Sequence, residues 1–88
     1  MRYRNRIEII SGILDAANGG GVTKTKIMYK AYISFDQMKD YLTVLTENNL
    51  LNYDTYTQTF RTTEKGLRFL NLYNQMDGMI KTVEQQSV

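Results

Sequence analysis

The sequence predicts a mainly α-helical fold with one small β-hairpin and a long C-terminal helix, and three observations predict it. Apolar residues recur at three- and four-residue spacing over most of the 88 residues, the period of amphipathic helices. Between residues 50 and 62 that spacing gives way to two short runs rich in Thr and aromatics around a polar turn, the composition of a hairpin. Proline is absent, so no helix loses a backbone donor to it.

The first helix is predicted over about residues 6–18. Asn5, followed three positions later by Glu8, reads as an N-terminal capping pair. Ile7, Ile10, Leu14 and Ala17, with Ile13 beside them, form its apolar face. Asn18-Gly19-Gly20-Gly21 ends it, because glycine readily takes the left-handed conformation after a helix. These glycines do not form a phosphate loop, since no strand precedes them and no Gly-Lys-Ser/Thr follows. They read as a flexible connection.

A second helix starts near Thr23 to Thr25 and carries Lys24, Lys26 and Lys30 beside Ile27 and Met28. A tight turn through Ala31-Tyr32-Ile33 leads to Ser34, which opens a third helix with Gln37 as its capping-box partner. Met38, Tyr41, Leu42 and Leu45 line the buried face of that helix as far as about Asn48. Asn49 takes the left-handed position that ends it.

Leu50–Tyr53 and Gln58–Thr62 are the predicted strands, with Leu51, Tyr53 and Phe60 facing inward and Asn52, Thr59 and Arg61 outward. Two strands alone are marginal, so the hairpin must lean on the helices. Thr62 or Thr63 then caps a last helix reaching about residue 84. Two helices joined at a tight corner and followed by a hairpin read as a winged helix-turn-helix domain over residues 1–62. Residues 63–88 form a separate C-terminal helix.

Composition narrows the chemistry. At 42% apolar residues the chain supports one modest core. No apolar run reaches the length of roughly 18 residues that a membrane span needs. The start, MRYRNRIEII, lacks the apolar stretch of a signal peptide, so a cytoplasmic location is expected. Cysteine and histidine are both absent. That removes disulfides, the usual zinc sites, and Cys-His or Ser-His catalysis. No catalytic activity, cofactor, metal or small-molecule substrate is expected. Asp36 and Asp40 lie one helical turn apart, but an acid–base or metal pair would need a pocket and further ligands. They read as solvated charges near a helix N-terminus.

Charge is unevenly spread. Residues 1–30 hold six basic and two acidic side chains, a net +4, whereas residues 31–88 hold five and seven, a net −2. A basic half beside an acidic half suits nucleic-acid binding on one face. Lys24, Lys26 and Lys30 lie on the helix that would cross a phosphate backbone. Ser34, Gln37, Lys39 and Thr43 reach outward from the third helix, where Gln and Ser can hydrogen-bond base edges. Arg61 on a hairpin strand suits a minor groove or a phosphate. Double-stranded DNA is the expected partner. Tyr29, Tyr32 and Tyr56 fit either partial exposure or the edges of the core.

Phe69, Tyr73, Met76, Ile80 and Val83 are spaced 4, 3, 4 and 3, the a/d seam of a coiled coil. Leu72 and Met79 flank the seam, while Leu67 and Leu70 can pack back on the first domain. A homodimer joined through this helix is expected.

Four stretches, RIEIISGILDAA, TKTKIMYKAYIS, YLTVLTENNLL and TTEKGLRFLNLY, carry a resemblance to the archaeal winged-helix DNA-binding proteins of the Sso10a type. It covers roughly residues 4–83, and KTKIMYKA and TTEKGL are its most specific parts. The resemblance implies an antiparallel coiled coil of C-terminal helices with a winged helix at each end. It also implies a nucleoid-associated role in transcription regulation or chromatin. The chain departs from the pattern at Asn48-Asn49, where Asn-Gly is common, and at Asp36 and Asp40, which make the third helix less basic than a strong DNA binder would have. Those carboxylates favour a second reading, a winged-helix module that binds protein partners of the transcription machinery; the basic N-terminal third opposes it.

Overall fold

Local side-chain caps set most of the element boundaries in the computed structural model, which describes residues 5–86 and side chains as far as Met79. Helix α1 (Arg6–Ala16) begins where the Glu8 N–H donates to Asn5 Oδ1 at 2.8 Å. It buries Ile9, Ile13, Leu14 and Ala17. Ile7, assigned to the apolar face from its spacing, is instead 51% exposed. The helix turns the Ile9–Ile13 stripe inward, and a residue two positions before Ile9 falls about 200° around the axis.

The glycine run bends the chain between α1 and Val22. Gly19 and Gly21 have φ of 107° and 84°. Val22, just beyond, exchanges two backbone hydrogen bonds with Phe60, at 2.9 and 2.7 Å. A one-residue bridge has no periodicity for a sequence to display.

Helix α2 (Lys24–Ala31) is capped by Thr23, whose Oγ1 accepts from the Lys26 N–H at 3.3 Å. It ends at Tyr32, which sits at φ 55° and ψ 50°, and the Ile33 N–H donates to the Met28 carbonyl at 3.2 Å. Helix α3 (Phe35–Glu47) opens with the complete capping box. The Gln37 N–H donates to Ser34 Oγ at 3.2 Å, and the Ser34 N–H donates to Gln37 Oε1 at 3.0 Å. Met38, Leu42 and Leu45 are buried, with Tyr41 packed at the core edge. Asn49, at φ 60°, closes α3 as its position predicts. The N–H groups of Leu50 and Asn49 donate to the carbonyls of Leu45 and Thr46 at 2.9 and 3.1 Å, a Schellman end.

Strands β1 (Leu51–Asp54) and β2 (Thr59–Thr62) pair antiparallel, with Leu51 opposite Thr62 and Tyr53 opposite Phe60. Thr62 ties the base of the hairpin to α1: its N–H donates to the Ala17 carbonyl at 3.1 Å and its Oγ1 to the Leu14 carbonyl at 2.6 Å. Leu51 and Thr62 at this base are buried, and Phe60 packs half-buried against the core. Tyr53, expected to face inward, is 39% exposed and rests on Phe60, with ring centroids 4.7 Å apart.

Thr63 caps helix α4 (Glu64–Gln86), accepting from the Gly66 N–H at 3.0 Å. Its hydroxyl lies 2.6 Å from the Asn49 carbonyl, and Lys65 Nζ donates to the Asn48 carbonyl at 2.9 Å. The first turn of α4 thus satisfies the orphan carbonyls at the end of α3. A β-carbon at Gly66 would collide with the Leu50 carbonyl oxygen and stand 2.7 Å from Thr62 Cγ2. Leu70 is buried, and Phe69 packs against the core from its half-exposed position. The molecule measures 51 × 28 × 20 Å, and its radius of gyration is 14.0 Å. About 12 Å is usual for a compact chain of this length; the excess reflects α4 running past the core.

Candidate nucleic-acid interface

The N-terminus of α2 and the hairpin enclose a groove of about 610 Å³ lined by Thr23, Lys24, Thr25, Tyr53, Thr57, Gln58 and Phe60. The groove exists because Val22 binds β2 immediately before α2 begins, which holds the start of the helix beside the wing. The first N–H groups of a helix lack intrahelical acceptors and carry the positive end of its dipole. Here they open beside an exposed lysine. A second, more apolar groove lies between α3 and the same hairpin face, lined by Leu42, Thr43, Thr46, Glu47, Tyr53 and Phe60.

All eight predicted contact residues are exposed, but they do not share one face. Lys24 lies in the groove between α2 and the hairpin. Lys26 and Lys30 stand one helical turn apart on the exposed side of α2. Thr43 lines the α3–hairpin groove, and Lys39 precedes it by one turn on the same edge. Gln37 sits on the other side of α3, near Arg6, Asp40, Tyr41 and Val44. Arg61 is on the far face of the hairpin, with Gly20, Asn52, Asp54 and Thr59.

Several of these side chains already have local work. Ser34 and Gln37 hold the capping box, leaving the Gln37 amide nitrogen as its outward donor. Thr43 Oγ1 donates to the Lys39 carbonyl at 3.0 Å, so its hydroxyl faces outward as an acceptor. Lys39 Nζ lies 5.5 Å from the centroid of the Phe35 ring, within cation–π range.

The helical wheel of α3 places Asp36, Asp40 and Glu47 opposite buried Met38, Leu42 and Leu45. Its outermost ridge is therefore acidic, with Lys39 and Gln37 on its flanks. Among the described residues no cluster of three or more potential ligands could hold a metal ion.

Sequence reasoning missed Thr25 as a groove residue and did not place Tyr53 and Phe60 there. The alternating Thr-Lys-Thr-Lys of residues 23–26 was the available signal for the first; the second depends on where the hairpin docks. Tyr29, Tyr32 and Tyr56, left open between exposure and the core edge, are 70%, 82% and 96% exposed.

No curated protein matches this chain. Among solved structures, Sso10a-2, a DNA-binding protein from Sulfolobus solfataricus, superposes with a TM-score of 0.84 at 22% identity. The match covers 96% of this chain and 90% of that one, and at this identity the likeness is one of fold. The profile described as winged helix-turn-helix matches residues 3–81. With the capped helix pair, the tight Tyr32 corner and the hairpin tied to α1, the chain belongs to the winged helix-turn-helix family.

Proposed function

We propose that the chain is a non-enzymatic DNA-binding protein that grips duplex DNA mainly through phosphate contacts and acts as a homodimer. The observation that carries this reading is the groove where the positive end of α2, with Thr23, Lys24 and Thr25, faces the hairpin. Hydroxyls, a lysine and unpaired helix N–H groups are the donors that hold phosphate oxygens. Lys26, Lys30 and Lys39 extend the positive surface, and Ser34, Gln37 and Thr43 supply the polar contacts of α3. Arg61, on the far hairpin face, serves a phosphate that passes outside the wing. The DNA-binding character of the structurally similar Sso10a-2 supports the same reading, and we extend it to a role in regulation or nucleoid organisation.

Dimerisation would come through α4. Leu72, Met76 and Met79 are 61%, 58% and 69% exposed and fall along one stripe. Soluble monomers rarely leave such stripes bare. Phe69 and Tyr73, at the inner edge of the seam, are half-buried within the protomer. The side chains of Ile80 and Val83, which complete the seam, lie outside the described residues.

A salt titration of duplex binding tests the proposal. With about 4 to 8 phosphates neutralised per dimer, log K against log salt has a slope of about −4 to −7. Lys24→Ala weakens all sequences alike, whereas Gln37→Ala changes the preference among them. Absence of binding to any duplex at low salt refutes the reading. The acidic ridge of Asp36, Asp40 and Glu47 favours a second one, a docking module for a basic protein surface, and that reading would then take its place.

A further inference from the structure

The chain holds seven asparagines, and six of them sit in bonds or regular structure. Asn5 Oδ1 accepts from the Glu8 N–H at 2.8 Å. Asn48 donates its side-chain amide to the Val44 carbonyl at 2.8 Å. The backbone N–H groups that follow Asn48 and Asn49 donate to the carbonyls of Thr46 and Leu45, at 3.1 and 2.9 Å. Asn52 stands opposite Arg61 in the hairpin, with a bulky tyrosine next in the chain. Asn71 and Asn74 lie inside α4, where the following N–H groups belong to helix bonds.

Asn18 differs. It is exposed beyond the end of α1, and the exposed Gly19 comes next. Neither its side-chain amide nor the Gly19 N–H bonds another described residue. Gly19 has φ 107°, and nothing lies within 4 Å of where its β-carbon would stand.

This link sets a nucleophile beside an electrophile, the condition that makes an intramolecular reaction fast. Once hydroxide takes the Gly19 amide proton, the nitrogen attacks Asn18 Cγ. The new N–Cγ bond closes a five-membered succinimide. The side-chain nitrogen takes a proton from water and leaves as ammonia. Water then adds to either ring carbonyl, and that carbonyl's bond to nitrogen breaks. The product is aspartate or isoaspartate at position 18, with nothing oxidised or reduced.

The change falls between two fixed points. The Thr62 N–H donates to the Ala17 carbonyl at 3.1 Å, and the Val22 N–H donates to the Phe60 carbonyl at 2.9 Å. An isoaspartate inserts one extra carbon into the main chain between them. Either product adds negative charge just past the C-terminus of α1, one turn beyond Asp15, where helix dipole and neighbour both disfavour it.

We propose that Asn18 is a site of spontaneous deamidation, selected over the other asparagines by the open link to Gly19, and that the isoaspartyl product loosens the bond between Val22 and the hairpin. The proposal is independent of DNA binding.

The full chain is incubated in mildly alkaline buffer while peptide masses are followed. The peptide holding Asn18 should gain one mass unit, with release of ammonia, before any other asparagine changes. An isoaspartate-specific methyltransferase should label the same peptide. Gly19→Ala should slow the change about 10- to 100-fold, because a β-carbon crowds the nitrogen and disfavours positive φ. Gly20→Ala, also in open space, should leave the rate nearly unchanged. Asn18→Gln, at an exposed position that keeps the fold, should abolish the signal, since its ring would be larger. In the isolated isoaspartyl form the Val22 amide should exchange about tenfold faster than in the unmodified chain. Earlier modification of another asparagine overturns the proposed site. So does an undiminished rate in folded Gly19→Ala, or a persistent mass gain in that peptide of Asn18→Gln. Unchanged Val22 exchange overturns the loosening.

Discussion

At the scale of single residues, the fold depends on a few positions where the backbone conformation and the side chain disagree, or where no side chain fits. Tyr32, Asn49 and Gln58 all have positive φ. Asparagine is at home there, but a glutamine is not. At Gln58 the left-handed turn lets its N–H donate to the Asp54 carbonyl at 2.8 Å, so the hairpin needs the conformation and not the side chain. Glycine relieves the strain but loosens the unfolded chain by about 0.4–1 kcal/mol. Gln58→Gly should therefore stabilise the protein by about 0.5–1 kcal/mol in urea unfolding. A loss of stability would show that the glutamine side chain holds the turn. Gly66 is the opposite case. Its neighbours include the Leu50 carbonyl, a backbone atom that cannot swing away. Gly66→Ala should destabilise by about 1–3 kcal/mol, lowering Tm by about 4 °C or more, although alanine is the better helix former.

At the scale of elements, the hairpin is a short ribbon whose tip is held by one carboxylate. Asp54 Oδ1 accepts from the N–H groups of Tyr56 and Thr57 at 2.9 and 3.3 Å. These two bonds, Tyr56 first, hold the Asp54 carboxyl below its ordinary value of 3.8. The folded value is the lower one, so Asp54 favours the closed turn above the unfolded value, and its contribution vanishes as pH falls through the folded value. Tyr56 and Thr57 amide signals should shift, and their exchange protection weaken, below about pH 4 while core amides hold. Asp54→Asn should abolish that transition. If the two amides titrate identically in the variant, Asp54 is not the latch.

At the scale of the whole molecule, α4 serves two ends. Its first turns close α3 and bury Leu70. The remainder runs outward with Leu72, Met76 and Met79 exposed, and the 23-residue helix is about 34 Å long. Leu72→Glu combined with Met76→Glu should leave protomer folding intact, because neither side chain is buried. The same change should yield monomers in light scattering and reduce duplex affinity by about 100-fold or more through lost bivalency. An unmodified protein that scatters as a monomer at about 50 μM, a concentration at which a dimer of micromolar Kd would be assembled, rules the seam out.

What the sequence determined by itself is local: the caps at Asn5, Ser34 and Asn49, the helical periodicity and the Thr-rich hairpin. Each depends on residues within about four positions of one another, and such interactions can be read along the chain. The tertiary structure decided whatever depends on docking. It turned Ile7 outward and Ile9 inward, bonded Val22 to Phe60, and left Tyr53 partly exposed against Phe60. It also divided the predicted contact residues, leaving Lys24 in the groove while Gln37 and Arg61 lie on other faces. The physical reason is that a helix wheel or strand alternation sets which residues share a side. Only packing against other elements sets which side meets water.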